Sequence, residues 1–138
     1  MRIDQRLIDA AIAQALARFP HQVDAGAAAL YTSDGRILTS VCLETPNECA
    51  NLCHETGAIC EAYRLGLQVT ASVCVSRSTP TEPFVILSPC GICQERLAIW
   101  GSDVELAVPL PGDPTRCLAK TLGEVQPFYW RKSLSSSS

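Results

Sequence analysis

The chain lacks the excess of positive charge that a nucleic-acid-binding surface needs. Its 138 residues include 11 Lys and Arg against 14 Asp and Glu, and the formal net charge is -3. A nucleic-acid partner therefore has no electrostatic support. The sequence also lacks an apolar run near the roughly 20 residues that span a bilayer. Residues 1–18 alternate charged residues with alanines, unlike a signal peptide. We therefore expect a cytoplasmic protein with no membrane partner.

Disulfide bonds are not expected, although the chain has 8 cysteines. Without a secretory signal, cysteines in a domain of this size are expected to stay reduced. Cys90 and Cys93 form a close pair that suits a metal ion. The others outside the motif described below are interpreted as small packing residues, namely Cys42, Cys49, Cys60, Cys74 and Cys117.

Helical and strand-like segments alternate along the chain. The spacing of apolar residues and the glycine stops predict helices at 3–19, 52–65 and 91–100. Strands are predicted at 26–32, 36–42, 69–76, 84–87 and 104–108. Segment 109–114 is predicted as a loop, with a short helix from Thr115. The order predicts a three-layer α/β domain over residues 1–134, followed by a disordered serine-rich tail at 135–138.

Three cysteines and one glutamate form the motif that indicates the chemistry. Cys53 and Glu55 lie in the run C-H-E-T-G-A, and Cys90 and Cys93 lie in S-P-C-G-I-C. Three thiolates bind a zinc ion and leave its fourth position open, and a carboxylate beside it can move protons. The predicted helices place these cysteines in first turns, where the helix dipole stabilises thiolates. Pro89 suits the position just before the second of these helices.

A closed structural zinc site is the alternative that the residues leave open. Such a site needs four protein ligands, and His54 is the candidate for the fourth. Neighbouring side chains on a helix diverge by about 100°, which separates His54 from Cys53. We therefore expect His54 to pack beside the ligands and not to bind the metal.

These motifs resemble the zinc-dependent cytidine deaminase family, and the likeness covers most of the chain. It rests on C-H-E at 53–55, S-P-C-G-I-C at 88–93 and T-S-D-G-R-I-L-T-S-V at 32–41. The resemblance implies a three-layer α/β/α fold with a mixed five-stranded sheet. It implies one Zn²⁺ per chain bound by Cys53, Cys90 and Cys93. Attack by zinc-bound hydroxide, with Glu55 as proton shuttle, would then release ammonia from the substrate.

The resemblance also implies the substrate and the assembly. The default substrate is a small molecule, cytidine or deoxycytidine, and the small members of the family are usually homotetramers, with a dimer as the alternative. Blasticidin-S deaminase belongs to a neighbouring branch with the same zinc motif. A nucleic-acid editing deaminase shares this core, but the negative net charge disfavours that reading.

The substrate-binding positions depart from the family pattern. Members that act on cytidine usually carry Asn-x-Glu on the second strand, where the pair holds the ribose 3′-hydroxyl. Cys42 and Glu44 occupy these positions here. A thiol is a poor substitute for an amide as a hydrogen-bonding group, and Asp24 stands near the place of an expected aromatic residue. A nucleoside antibiotic or another amino-heterocycle is therefore an open alternative to cytidine.

Two expected arginines are also absent. One usually follows the glutamate and another the last cysteine, but Thr56 and Gln94 stand there. The thiolate charge then falls to helix dipoles, backbone N–H groups and Arg96. These departures leave a non-catalytic zinc-binding scaffold as a further possibility.

Overall fold

Four α-helices and six strands follow one another in the computed structural model, which describes residues 2–134. The helices are α1 (Gln5–Arg18), α2 (Thr56–Leu65), α3 (Gly91–Leu97) and α4 (Leu122–Val125). The strands are β1 (Ala25–Thr32), β2 (Ile37–Ser40), β3 (Val69–Arg77), β4 (Val85–Leu87), β5 (Glu105–Leu110) and β6 (Asp113–Thr121). The predicted tail at 135–138 lies outside the described residues, and the division into domain and tail stays a prediction.

Helix α1 begins where Asp4 caps it. The Asp4 carboxylate accepts a hydrogen bond from the Leu7 backbone N–H at 2.9 Å, which satisfies one free donor of the first turn. The same carboxylate accepts from the buried Tyr31 hydroxyl at 2.9 Å and so ties the helix to β1. Leu7, Ala11 and Ala15 share the buried face, as the helical spacing predicts.

Strands β1 and β2 form the predicted hairpin. Gly35 adopts φ of 85° in the turn between them, a conformation that glycine takes without steric cost. Every residue of β1 is buried, because the strand has neighbours on both edges and helices over both faces. This double burial explains its continuous run of small apolar residues.

The sheet is mixed, and β3 lies at its centre. The strand order is β2-β1-β3-β5-β6, and β4 pairs with β3. Strand β3 pairs along its length with β1, while its other edge is shared by β5 at Ala71–Ser72 and β4 at Cys74–Ser76. The β3–β5 pairing is parallel and the others are antiparallel.

Helices cover both faces of the sheet. On one face α1 packs with Leu7 and Ala11 against Tyr31 and Val73. On the other face Ala58, Ile59 and Ala62 of α2, with Leu97 of α3, pack against Leu30 and Leu106. Each fully buried leucine contributes about 1.5–3 kcal/mol relative to an exposed one. The predicted three-layer α/β/α fold with a mixed sheet is confirmed.

The sequence prediction missed strand β6. The helix predicted from Thr115 is wrong, and the loop predicted at 109–114 is confined to residues 111–112. Strand β5 continues to Leu110, a tight turn with Gly112 at φ of 84° follows, and β6 runs to Thr121. Since β6 is an edge strand, Pro114 is tolerated within it. The sheet therefore has six strands and not the five that were predicted.

Between residues 2 and 134, no helix has the length and apolar character needed to cross a bilayer.

Candidate metal centre and active site

The first cysteine is held at the end of a closed loop. Leu43 and Leu52 form an antiparallel bridge, with N···O distances of 3.1 and 3.0 Å, that brings the two ends of this loop together. Cys53 follows Leu52 directly, and the Ser40 hydroxyl donates to the carbonyl oxygen of His54 at 2.5 Å. Cys53 is therefore fixed by the loop and by β2. The prediction that it lies in the first turn of a helix is wrong, because α2 begins only at Thr56.

The other two cysteines lie at the start of α3. Cys90 is the N-cap residue with extended backbone, and Cys93 lies in the first turn, as the sequence predicts. The Gln94 backbone N–H donates to the Cys90 carbonyl oxygen, and the Gln94 side chain donates to the carbonyl oxygen of Pro89, both at 2.8 Å. Pro89 is buried directly before the helix. These contacts fix where the two thiols point.

The three sulfur atoms converge. The Sγ atoms of Cys53, Cys90 and Cys93 all lie within 4.8 Å of one another, and the first two are 3.2 Å apart. A disulfide bond would need about 2.05 Å, and all three are free cysteines. Tetrahedral zinc with bonds of about 2.3 Å would separate its sulfur ligands by about 3.8 Å. The donor atoms and their spacing therefore fit a zinc ion.

The surroundings shift the pKa values of the three thiols in different directions. Burial acts to raise the pKa of the Cys90 thiol, but the backbone N–H groups of Cys93 and Ile92 and the Cys53 thiol outweigh it and lower the pKa. The hydrogen bond to Cys90, and then burial, raise the pKa of Cys53. Burial, and then the neighbouring Glu55 carboxylate, raise the pKa of Cys93. Of the three thiols, Cys90 is therefore the one whose surroundings favour the thiolate form.

Glu55 places a carboxylate beside this cluster without joining it. Within residues 2–134, the group of mutually close ligand atoms contains the three sulfurs and no carboxylate oxygen. Glu55 is the N-cap residue of α2 and only 3% exposed, next to the thiols of Cys93 and Cys74. A buried carboxylate at a helix N-terminus is stabilised by the helix dipole. This arrangement suits a group that exchanges protons with a substrate near the metal.

His54 lies against the sheet and not against the sulfurs. A Cβ atom at Gly26 would lie 2.5 Å from its Nε2 atom, so the imidazole occupies space that only glycine leaves free. Burial lowers the pKa of His54, although Glu55 and Glu44 act in the opposite direction. Among the described residues, His54 is not part of the ligand cluster. This placement gives no support to a closed site with four protein ligands.

The candidate substrate-binding residues lie on the loop that leads to Cys53. Cys42 is half-buried just after β2, and Glu44 is exposed two residues later. Burial, and then the Glu44 carboxylate, raise the pKa of the Cys42 thiol, which favours its neutral form. The pair therefore presents one weak thiol donor and one carboxylate on the loop that ends at Cys53.

Two further residues join the site from α2 and α3. Arg96 donates from its guanidinium to the Thr56 hydroxyl oxygen at 2.7 Å, and its nearest nitrogen is 4.0 Å from the Cys93 sulfur. Arg96 was expected from the sequence to compensate the thiolate charge. Thr56 was mentioned only because it stands where the family usually has an arginine. Cys74 was interpreted as a packing residue, yet it lies beside Glu55. Gly26, near the start of β1, was the available sequence signal that another group, here His54, approaches the backbone closely.

The comparisons with known proteins agree with this geometry. The structure is similar to the crystal structure of the cytidine deaminase from Bacillus anthracis, with 39% sequence identity and a TM-score of 0.87. That likeness covers 94% of this chain and 91% of the other. Cytidine deaminases from Mycobacterium tuberculosis and Mycobacterium leprae are each 26% identical, with TM-scores of 0.67 and 0.68.

Both mycobacterial likenesses extend over nearly whole chains. The first covers 93% of this chain and 98% of the other, and the second covers 89% and 96%. No protein-family model matches the chain, and no curated protein matches it.

Proposed function

Because this chain belongs to the cytidine deaminase family, a family of zinc-dependent hydrolytic enzymes, we propose that it deaminates a small amino-substituted nucleoside or heterocycle. The default reaction converts cytidine or deoxycytidine to the uracil nucleoside and ammonia. The observation that carries the proposal is the convergence of three cysteine sulfurs beside a buried glutamate.

The three sulfurs are the proposed ligands of one Zn²⁺ per chain. Zinc bound by Cys53, Cys90 and Cys93 supplies a Lewis acid that makes water nucleophilic at neutral pH. His54 is packed over Gly26, so a fourth protein ligand is not at hand among the described residues. This supports an open coordination position and hence catalysis, in preference to a structural zinc scaffold.

Glu55 is the proposed proton shuttle. Hydrolytic deamination requires that a proton leave the attacking water and that a proton reach the departing amine. Glu55 is buried beside Cys93 and outside the sulfur cluster, which leaves its carboxylate available for both transfers. General acid–base groups of this kind contribute roughly 10²–10⁴-fold to rate.

Glu44 and Cys42 are the proposed substrate-binding residues. An exposed carboxylate at Glu44 suits a hydrogen bond from a sugar hydroxyl. The neutral, half-buried Cys42 thiol offers far less than an amide would. This observation favours, as the second candidate, a substrate other than cytidine, such as a nucleoside antibiotic or another amino-heterocycle.

We place the enzyme in the cytoplasm as a homotetramer, with a dimer as the alternative. A nucleic-acid substrate is not proposed, because the net charge of -3 provides no attraction to phosphates.

Ammonia release from the zinc-loaded protein tests the proposal. The panel contains cytosine, cytidine, deoxycytidine, blasticidin S, adenosine, guanine and simpler amino-heterocycles, with Glu55→Gln as the blank. Release from cytidine or deoxycytidine supports the default substrate, and release from another compound alone supports the second candidate. Equal release by the wild type and the Glu55→Gln variant would refute the assigned shuttle.

A further inference from the structure

The three-sulfur site has a surplus of negative charge that the protein must compensate. Three thiolates and one Zn²⁺ carry a formal charge of -1, and the buried Glu55 carboxylate lies beside them. A net charge in a site of low dielectric constant is costly unless an opposite charge or hydrogen-bond donors face it. Positions 56 and 94 hold Thr and Gln, so neither supplies a cation. Backbone N–H groups of Ile92 and Cys93 face the Cys90 sulfur, so a compensating cation has to come from a position other than 56 and 94.

Arg96 is a cation that reaches the cluster. Its guanidinium lies 4.0 Å from the Cys93 sulfur and donates a hydrogen bond of 2.7 Å to the Thr56 hydroxyl oxygen. Two salt bridges are found among residues 2–134, Asp34–Arg36 and Lys120–Glu124, and neither includes Arg96. Glu95, the acid next to it in the chain, instead accepts hydrogen bonds from Tyr129 and Trp130.

Thr56 connects this cation to the metal ligand. Its hydroxyl oxygen accepts a hydrogen bond from Arg96 and lies 4.0 Å from the Cys93 sulfur. Since arginine can only donate, the Thr56 hydroxyl proton is left free to point to the sulfur. Thr56 is 6% exposed and Cys93 is fully buried, so water does not screen the interaction. Donation from Arg96 also polarises the hydroxyl and makes it a stronger donor.

We propose that Arg96 and Thr56 form a hydrogen-bond relay that compensates and orients the Cys93 thiolate. Thr56 is the first residue of α2 and Arg96 lies on α3, so the relay also links the helix that follows Cys53 to the helix that carries Cys93. Both are positioning residues, since they act on the substrate only through Cys93. The proposal rests on the zinc site proposed above.

Matched variants distinguish the effects of the Thr56 hydroxyl and of the Arg96 charge from the effect of side-chain packing. Thr56→Val removes the hydroxyl at nearly constant shape, Thr56→Ser retains it, and Arg96→Met removes the guanidinium at similar length. Arg64→Met is the control, because it deletes an exposed arginine from the last turn of α2. Each protein is loaded with Co²⁺ for its thiolate-to-metal charge-transfer absorption. Zinc affinity is then measured by competition with a chromophoric chelator.

We expect Thr56→Val and Arg96→Met to lose roughly 10–100-fold in zinc affinity, as is typical when a partner of a metal ligand is removed. A thiolate that loses a donor becomes more electron-rich, so its charge-transfer band should move to longer wavelength. Thr56→Ser and Arg64→Met should match the wild type.

Two results would overturn the relay. One is a wild-type spectrum and affinity in both Thr56→Val and Arg96→Met. The other is a Thr56→Ser variant that behaves as Thr56→Val does, since packing and not the hydroxyl would then matter. If Thr56→Val does not fold, the Arg96→Met variant still tests the relay, because Arg96 is only half-buried. A wild-type protein that binds neither Zn²⁺ nor Co²⁺ would instead refute the proposed function itself.

Discussion

Replacing Gly26 with alanine tests how tightly His54 is packed against the sheet. The added Cβ would lie 2.5 Å from His54 Nε2 and 3.0 Å from the Val75 carbonyl oxygen. Unstrained carbon contacts are about 3.5–4.0 Å, so the overlap with the imidazole is about 1 Å. The ring must move, because the Val75 oxygen belongs to the central strand. We expect Gly26→Ala to lower the free energy of unfolding by about 1–3 kcal/mol.

A double-mutant cycle isolates this contact. His54→Ala removes the atoms that the new Cβ would meet, so Gly26→Ala should cost less in that background. We expect a coupling energy of at least about 1 kcal/mol, within the range found for residues in contact. The assay is urea unfolding of the four proteins in a metal chelator, so that zinc binding does not contribute. Gly91→Ala is the control, since no heavy atom lies within 4 Å of its added Cβ. Additivity of the two single changes within about 0.5 kcal/mol would refute the packing of His54 on Gly26.

Three further predictions follow from the site and from the helix cap. Glu44→Ala should raise KM for cytidine more than for cytosine in steady-state kinetics, and equal effects would remove Glu44 from sugar binding. Cys90→Ala should abolish zinc binding, so a chelator should lower the thermal midpoint of the wild type alone; zinc at 100 times its Kd contributes about 2.7 kcal/mol. Stoichiometric zinc in that variant would contradict the ligand assignment. Burial, and then Asp4, raise the pKa of the Tyr31 hydroxyl, so the folded protein retains a proton that the unfolded chain loses near pH 10. The free energy of unfolding should therefore fall as the pH rises above about 10, and Tyr31→Phe should flatten this slope in urea titrations. Identical alkaline slopes would show that Tyr31 does not cause the effect.

The parts of the fold that the sequence predicts are those with local signals. Helix α2 ends at Gly66, which adopts φ of 69°, and the hairpin turns at Gly35, so both boundaries have a glycine in the position that requires one. The convergence of Cys53 with Cys90 and Cys93 was also predictable. The two motifs are widely separated in sequence, but zinc chemistry requires that their thiols meet.

The parts that the sequence does not reveal depend on pairing with distant residues. Strand β6 carries Pro114 and follows a proline-rich turn, so its composition indicates a loop until its pairing with β5 is known. Similarly, the contact between Thr56 and Arg96 joins residues on two helices and has no local pattern. Cys53 lies before α2 because the bridge between Leu43 and Leu52 fixes it, which no helix rule anticipates.

The most direct test of the account is a zinc titration of the metal-free protein, followed by ammonia release from the best substrate of the panel. The account predicts that release by the wild type rises in proportion to bound zinc and reaches a plateau at about one zinc per chain. The Glu55→Gln variant should bind the same zinc and show a rate at least about 100-fold lower. Full release by the zinc-free protein, or by zinc-loaded Glu55→Gln, would contradict it.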